Sequence, residues 1–251
     1  MTAGDEITGE LTWNGRQLTS IQLEEVRYEY FYDQDGLRTK SVQYDDSNNI
    51  ELITKYVWNE GVLSGYSIEQ PDKSTAQTVR ILFDDTGDSI GYTFYDTDGN
   101  NFQTFYFEKN LQGDIIRVCD PKGKALVTYN YDAWGNVTPT AHGNNLESAL
   151  RALVVLMYTP ITYRGYNYDI NTGLYYLQSR YYNPAYGRFL NADTTDILET
   201  TKGTIHGANL FAYCNNNPVM YVDYTGEDGN DEAYAKGIRW ATLPFGKFRT
   251  R

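Results

Sequence analysis

Residues 83–135 read FDDTGDSIGYTFYDTDGNNFQTFYFEKNLQGDIIRVCDPKGKALVTYNYDAWG, and a twelve-residue unit recurs through this stretch. The units begin at Phe83, Tyr95, Phe107, Cys119 and Tyr131; in four of the five a glycine follows four positions later, and the unit at Phe107 is two residues longer there. Asp and Asn side chains bond the backbone of a turn, and Gly supplies the positive φ that tight turns need. Each unit therefore indicates a strand that ends in a tight turn.

Alternating runs such as residues 92–95 separate these turns, and this alternation is typical of strands. Looser copies of the unit at Trp13, Tyr32 and Trp58 extend the series toward the N-terminus. Repeated strand–turn–strand units form a β-hairpin ribbon, and neighbouring units must pack side by side to bury one face. The sequence predicts an all-β fold with hairpin turns at Gly87, Gly99, Gly123 and Gly135.

One short helix near residues 145–157 interrupts the β pattern. Asn144 is predicted as its N-cap, and Glu147 three residues later completes a capping box. Pro160 is predicted to end the helix. An apolar stripe at helical spacing is predicted to pack against the core. The stripe consists of Leu146, Ala149, Leu150, Leu153, Val154 and Met157.

Two acidic clusters, Asp33–Gly36 and Asp96–Gly99, raise the alternative of calcium binding. An EF-hand loop needs Gly at its sixth position and Glu at its twelfth. Here Gly stands at the fourth position of each cluster, between two predicted strands. The clusters are therefore interpreted as turns, and no metal or cofactor site is predicted.

The composition and the missing motifs of the sequence argue against several classes of function. A net charge of −12 argues against unaided binding to nucleic acid or to an anionic membrane, which both need clustered Lys and Arg. No apolar run is long enough to span a membrane, and residues 1–6 lack the features of a secretory signal. Cys119 and Cys214 form no CxxC pair. Signatures of zinc proteases, P-loops, serine hydrolases and dinucleotide-binding folds are also missing, which disfavours a conventional enzyme.

The segment between residues 163 and 226 has a different character from the repeats. It contains, in order, YRGYNYD from position 163, TGLYYL from 172, SRYYNP from 179, GRFLNAD from 187, NLFAY from 209, NNPV from 216 and VDYTG from 222. This string closely resembles the RHS-repeat-associated core, and the upstream units resemble the YD repeats that precede such cores. The resemblance implies YD/RHS repeats over residues 1–140, an RHS core over 141–226 and a short variable tail over 227–251.

In that family the repeats wind into a hollow shell, the core closes one end, and the core cuts the chain after a DP-x-G motif to release an enclosed toxin. The resemblance implies an aspartic-type site of Asp193 and Asp223, with Arg188 helping to balance the charge, and cleavage between Gly226 and Glu227. The sequence departs from the family pattern, because Thr194 and Tyr224 replace the two prolines that follow the acids, and Glu227 adds a charge beside the bond. These departures favour a core that is not cleaved.

The function predicted is a structural shell or plug segment of an RHS-type polymorphic toxin or cell-surface protein. Residues 227–251 number 25, too few for a toxin core, so an end fragment without its own toxin domain is expected. Two alternatives stay open: a surface glycan-binding or adhesion module, and a self-cleaving core.

The resemblance implies a secreted or surface location, whereas the sequence, read without a secretory signal, implies a cytoplasmic protein unless a dedicated system exports it. The resemblance also implies, as partners, the remaining array or a toxin with its immunity protein. Strands around residues 11–22 are expected to offer an open edge for self-association.

Overall fold

The structure is a computed structural model that describes residues 9–72, 76–97, 99, 102–194 and 209–227. Twelve strands form one antiparallel sheet in chain order. They are β1 Glu10–Asn14, β2 Gln17–Gln22, β3 Arg27–Tyr32, β4 Arg38–Tyr44, β5 Ile50–Asn59, β6 Val62–Glu69, β7 Gln77–Phe83, β8 Ser89–Tyr95, β9 Phe102–Lys109, β10 Ile115–Cys119, β11 Ala125–Tyr131 and β12 Val137–Ala141.

A helix and a second sheet follow this ribbon. Helix α1 spans Leu146–Tyr158. The second sheet is antiparallel and contains β13 Asn167–Asp169, β14 Leu174–Leu177, β15 Arg180–Asn183 and β16 Arg188–Phe189. The predicted all-β fold with one short helix is confirmed. Among the described residues, no helix is long and apolar enough to cross a membrane.

The turns of the repeats have the geometry that the sequence predicts. Gly87, Gly99, Gly123 and Gly135 all have positive φ, between 68° and 90°. In the last unit, one carboxylate oxygen of Asp132 accepts the backbone N–H groups of Trp134 at 2.8 Å and Asn136 at 2.9 Å. The same oxygen of Asp33 accepts from Asp35 and Leu37 in an early unit. These acids therefore close turns, as expected from their spacing.

The helix differs from its prediction in two ways. Its N-cap is Asn145 and not Asn144, and Ser148, not Glu147, completes the capping box. The helix also presents the other face to the core: Ser148, Ala152 and Val155 are the buried side chains. The predicted apolar stripe is largely exposed, so the expectation that it packs against the core is wrong.

The ribbon curls around the second sheet and contacts it at both ends. At one end, Leu18, Ile21, Tyr28 and Tyr30 from β2 and β3 form a cluster with Leu174, Tyr176 and Tyr181 from β14 and β15. At the other end, the hydroxyl of Tyr175 in β14 donates to the carbonyl of Gly135, in the turn between β11 and β12, at 2.8 Å. Each such apolar side chain contributes roughly 1.5–3 kcal/mol on burial. The abundant tyrosines thus join the ribbon to the second sheet.

The two edges of the ribbon are chemically different. In β12, Pro139 lies opposite Tyr129, and α1 follows and packs against β11 and β12. Proline has no N–H to donate to a further strand. In β1, which has no proline, β2 is the sole neighbour within the described residues. Extension of the sheet is therefore less hindered at β1 than at β12, where Pro139 lacks an N–H.

Candidate functional site

The two predicted acids come together around one buried arginine. Arg180, the first residue of β15, has its Nη1 2.9 Å from Asp193 Oδ2 and its Nη2 3.1 Å from Asp223 Oδ2. The three residues are nearly inaccessible, with exposed fractions of 2%, 6% and 1% in that order. Buried charges need partners, and here a single guanidinium compensates two carboxylates.

Arg180 also holds the end of the described core. Its Nε donates to the carbonyl oxygen of Gly226, and its Nη1 donates to the carbonyl of Leu210 at 3.3 Å. Burial lowers the pKa of Arg180, and the nearby Asp223 and Asp193 oppose that shift. The guanidinium therefore links both acids to the carbonyl of the predicted cleavage bond.

The peptide unit between Thr225 and Gly226 is held by two hydrogen bonds. The N–H of Gly226 donates to Asp223 Oδ1 at 2.7 Å, and the preceding carbonyl of Thr225 accepts from Ser179 Oγ at 2.9 Å. The φ of Gly226 is +76°, and a Cβ would lie 2.6 Å from the carbonyl oxygen of Leu177. Backbone conformation and space both require glycine at this position.

A second arginine reaches the site from the ribbon. Arg16 lies in the turn between β1 and β2, and its backbone carbonyl accepts from the Asn191 side chain at 3.0 Å. Its guanidinium lies 3.9 Å from Asp193 and 4.0 Å from the exposed Glu227. The charge of Glu227 beside the bond therefore faces a positive group supplied by the ribbon.

Comparisons with known proteins agree with this architecture. The chain is 34% identical over 197 residues to the tRNA3(Ser)-specific nuclease WapA of Bacillus spizizenii, covering 78% of this chain and 7% of that protein. It is 25% identical over 228 residues to the toxin subunit YenC1 of Yersinia entomophaga, covering 86% and 22%. The crystal structure of TcdB2-TccC3-Cdc42 matches 94% of this chain and 11% of that one, with a TM-score of 0.65 and 25% identity.

The chain is related to the RHS and Tc toxin proteins. It spans less than a tenth of the length of the WapA relative and about a fifth of that of YenC1. No family model matches the sequence.

One residue predicted for the site, Arg188, lies away from it in the structure. Arg188 begins β16 with an exposed side chain, whose guanidinium lies 5.3 Å from the ring centre of Phe211. Arg180 takes the central position instead, and sequence reasoning missed it. All four residues of β15 are buried in the structure, and an arginine there requires acidic partners, but the sequence alone did not show this burial. Across the described residues, no cluster of three or more His, Cys, Asp or Glu could hold a metal ion.

Proposed function

We propose that this chain is a structural end segment of an RHS-type shell. Residues 1–140 are the repeats, 141–226 the closing core and 227–251 a variable tail. Its partners are the rest of such an array or a toxin and its immunity protein, and its place of action is outside the producing cell or on its surface. The similarity to WapA and to YenC1 supports this proposal.

The observation that carries the proposal is the asymmetry of the ribbon. A segment inside an array needs two edges that accept strands, whereas an end segment needs one. Within the described residues, β1 has no strand partner at its outer edge, whereas Pro139 removes an N–H donor from the last strand, β12. The second sheet fills the concave side of the ribbon, as a closing core must.

Substitutions at the two edges test this polarity. Thr12 in β1 and Thr138 in β12 are both exposed threonines. Lysine on an edge strand opposes pairing with another chain. We expect Thr12→Lys to weaken concentration-dependent self-association in sedimentation velocity, and Thr138→Lys to leave it unchanged. Association that depends on Thr138 and not on Thr12 would overturn the assignment of the extensible edge.

A second candidate is self-cleavage, and the geometry at Gly226 favours it. The carbonyl of the Gly226–Glu227 bond accepts from Arg180 Nε, a donor placed where negative charge would develop during attack by water. Asp223 and Asp193 both form ion pairs with the guanidinium of Arg180. In such a mechanism one carboxylate takes a proton from water and the other gives a proton to the departing amine of Glu227.

Intact-mass measurement after prolonged incubation tests the second candidate. Self-cleavage gives a fragment that ends at Gly226, and Asp193→Asn and Asp223→Asn abolish that fragment. The turn acid Asp132 supplies the matched control, because Asp132→Asn should not alter cleavage. We expect the chain to stay intact, since Arg180 already compensates both carboxylates, whereas the acid–base mechanism needs one of them protonated.

The glycan-binding alternative has less support. The largest tyrosine cluster of the core, which includes Tyr163, Tyr166, Tyr175, Tyr182 and Tyr213, is buried and its rings contact one another. These rings are therefore used in packing and cannot stack on a sugar.

A further inference from the structure

Helix α1 turns its larger apolar face away from the protein. Leu146, Leu150, Leu153 and Met157 have exposed fractions of 76%, 54%, 52% and 60%. The face that packs on the ribbon is made of smaller side chains, Ser148, Ala152 and Val155. This is the reverse of an ordinary surface helix, whose large apolar residues face the core. We call the four exposed residues the helix stripe.

The spacing of the helix stripe suits a packing partner. Its members are separated by four, three and four positions, which keeps them on one line of the helix surface. Together they expose a patch of roughly 400 Å², the size of the largest apolar patch on a typical monomer, and such patches are often functional. Glu147 lies beside it in the first turn and gives it an acidic flank.

The area of the helix stripe is too small for a second copy of the helix to be its partner. Two stripes facing each other would bury roughly 800 Å², which is below the ~1,200 Å² of a stable interface between separate proteins. A segment of the same chain needs less area, because a tether holds it at a high effective concentration. An apolar and basic segment of this chain would meet both conditions.

The C-terminal segment 233–251 has that composition. It contains Ile238, Trp240, Leu243, Phe245 and Phe248, together with five Lys or Arg residues and no Asp or Glu. Because the whole chain has a net charge of −12, the rest of the chain carries −17. Opposite charges of this size attract the segment to the body of the protein.

We propose that segment 233–251 docks on the helix stripe, with its aromatic and aliphatic side chains covering Leu146, Leu150, Leu153 and Met157. The last described residue, Glu227, is held beside Gly226 in the core. Eleven residues lead from Glu227 to Ile238, a reach of roughly 35 Å, which is comparable to the width of a domain of this size. This inference goes beyond the proposed function and holds whether or not the core closes a shell.

Cysteine labelling tests the proposal on the full chain. A Cys119→Ser background removes the partly exposed native thiol, while Cys214 is buried. Leu150→Cys then reports on the stripe, and Leu111→Cys, at a hairpin tip with 94% exposure, is the matched control. Maleimide labelling is compared between the full chain, verified by intact mass, and a chain that ends at Glu232.

We expect the cysteine at position 150 to react about tenfold more slowly in the full chain than in the shortened chain, because a tethered segment acts at millimolar effective concentration. The cysteine at position 111 should react equally in both chains. In the full chain, Trp240→Asp should restore fast labelling at position 150. Equal rates at position 150 in both chains, or protection that rises with protein concentration and persists without the segment, would overturn the proposal.

Discussion

Arg180 is the residue on which the architecture of the core depends most. It balances Asp193 and Asp223 and donates to the carbonyls of Leu210 and Gly226, so it joins three separate parts of the chain. Arg180→Met keeps the aliphatic volume that packs over the ring of Phe189, where the guanidinium carbon now lies 3.7 Å from the ring centre. The substitution therefore removes the charge and the donors while it preserves most of the packing.

The expected loss follows from burial. Removing one partner of a buried ion pair costs about 3–5 kcal/mol, because the remaining charge has no compensation. Two nearly inaccessible carboxylates lose their shared arginine in this case, while Arg16 stays 3.9 Å from Asp193, so we expect the free energy of unfolding to fall by about 4 kcal/mol at neutral pH. One carboxyl must then take up a proton to stay buried, so the deficit should shrink as the pH falls toward 5.

Urea denaturation followed by tryptophan fluorescence measures this change. The matched control is Arg188→Met, which removes an exposed arginine from the neighbouring strand and should alter stability by less than about 0.5 kcal/mol. The reasoning is refuted if the Arg180 variant is as stable as the Arg188 variant, or if its deficit grows as the pH falls.

Three further outcomes are expected from the fold. Gly91→Ala should lower the melting temperature more than Gly87→Ala, because a Cβ at position 91 meets the Phe105 carbonyl, whereas position 87 has open space and carries only the ~1 kcal/mol cost of positive φ. Asn145→Ala should destabilise the protein by about 1 kcal/mol in urea denaturation, through loss of the observed cap. Burial raises the pKa of Tyr129 and Tyr168 to about 12 each. The neutral side chains therefore contribute fully to stability below pH ~10, and this contribution is lost as the pH rises toward 12. Ultraviolet titration should show the two tyrosines ionising together with unfolding.

The sequence predicted the ribbon well because its turns are local. Asp132 and Gly135 lie within one unit, and their bonding needs no distant partner. The meeting of Asp193 with Asp223 could be expected only from the family resemblance. The sequence did not show which arginine lies between them, because an exposed Arg188 and a buried Arg180 have the same chemistry until the strands are placed.

The helix shows a different limit of sequence reasoning. A periodic apolar stripe normally identifies the buried face of a helix, and this rule predicts that the larger residues Leu150 and Leu153 are buried. The ribbon instead approaches the face of Ala152 and Val155, whose small side chains allow close packing of the helix on β11 and β12. Periodicity identified an apolar face but not the surface against which it packs.

The central proposal is that this chain forms the end of a β shell whose preceding strand pairs with β1. A chimera tests this proposal most directly. Residues 9–227 would replace the matching segment of the TcdB2-TccC3 protein, and the chimera would be studied by cryo-electron microscopy. We expect the preceding strand of the host protein to pair with β1, and no strand to pair with β12 beyond β11. A complex in which the outer edge of β1 stays free, or in which a host strand pairs with β12, would contradict the proposal.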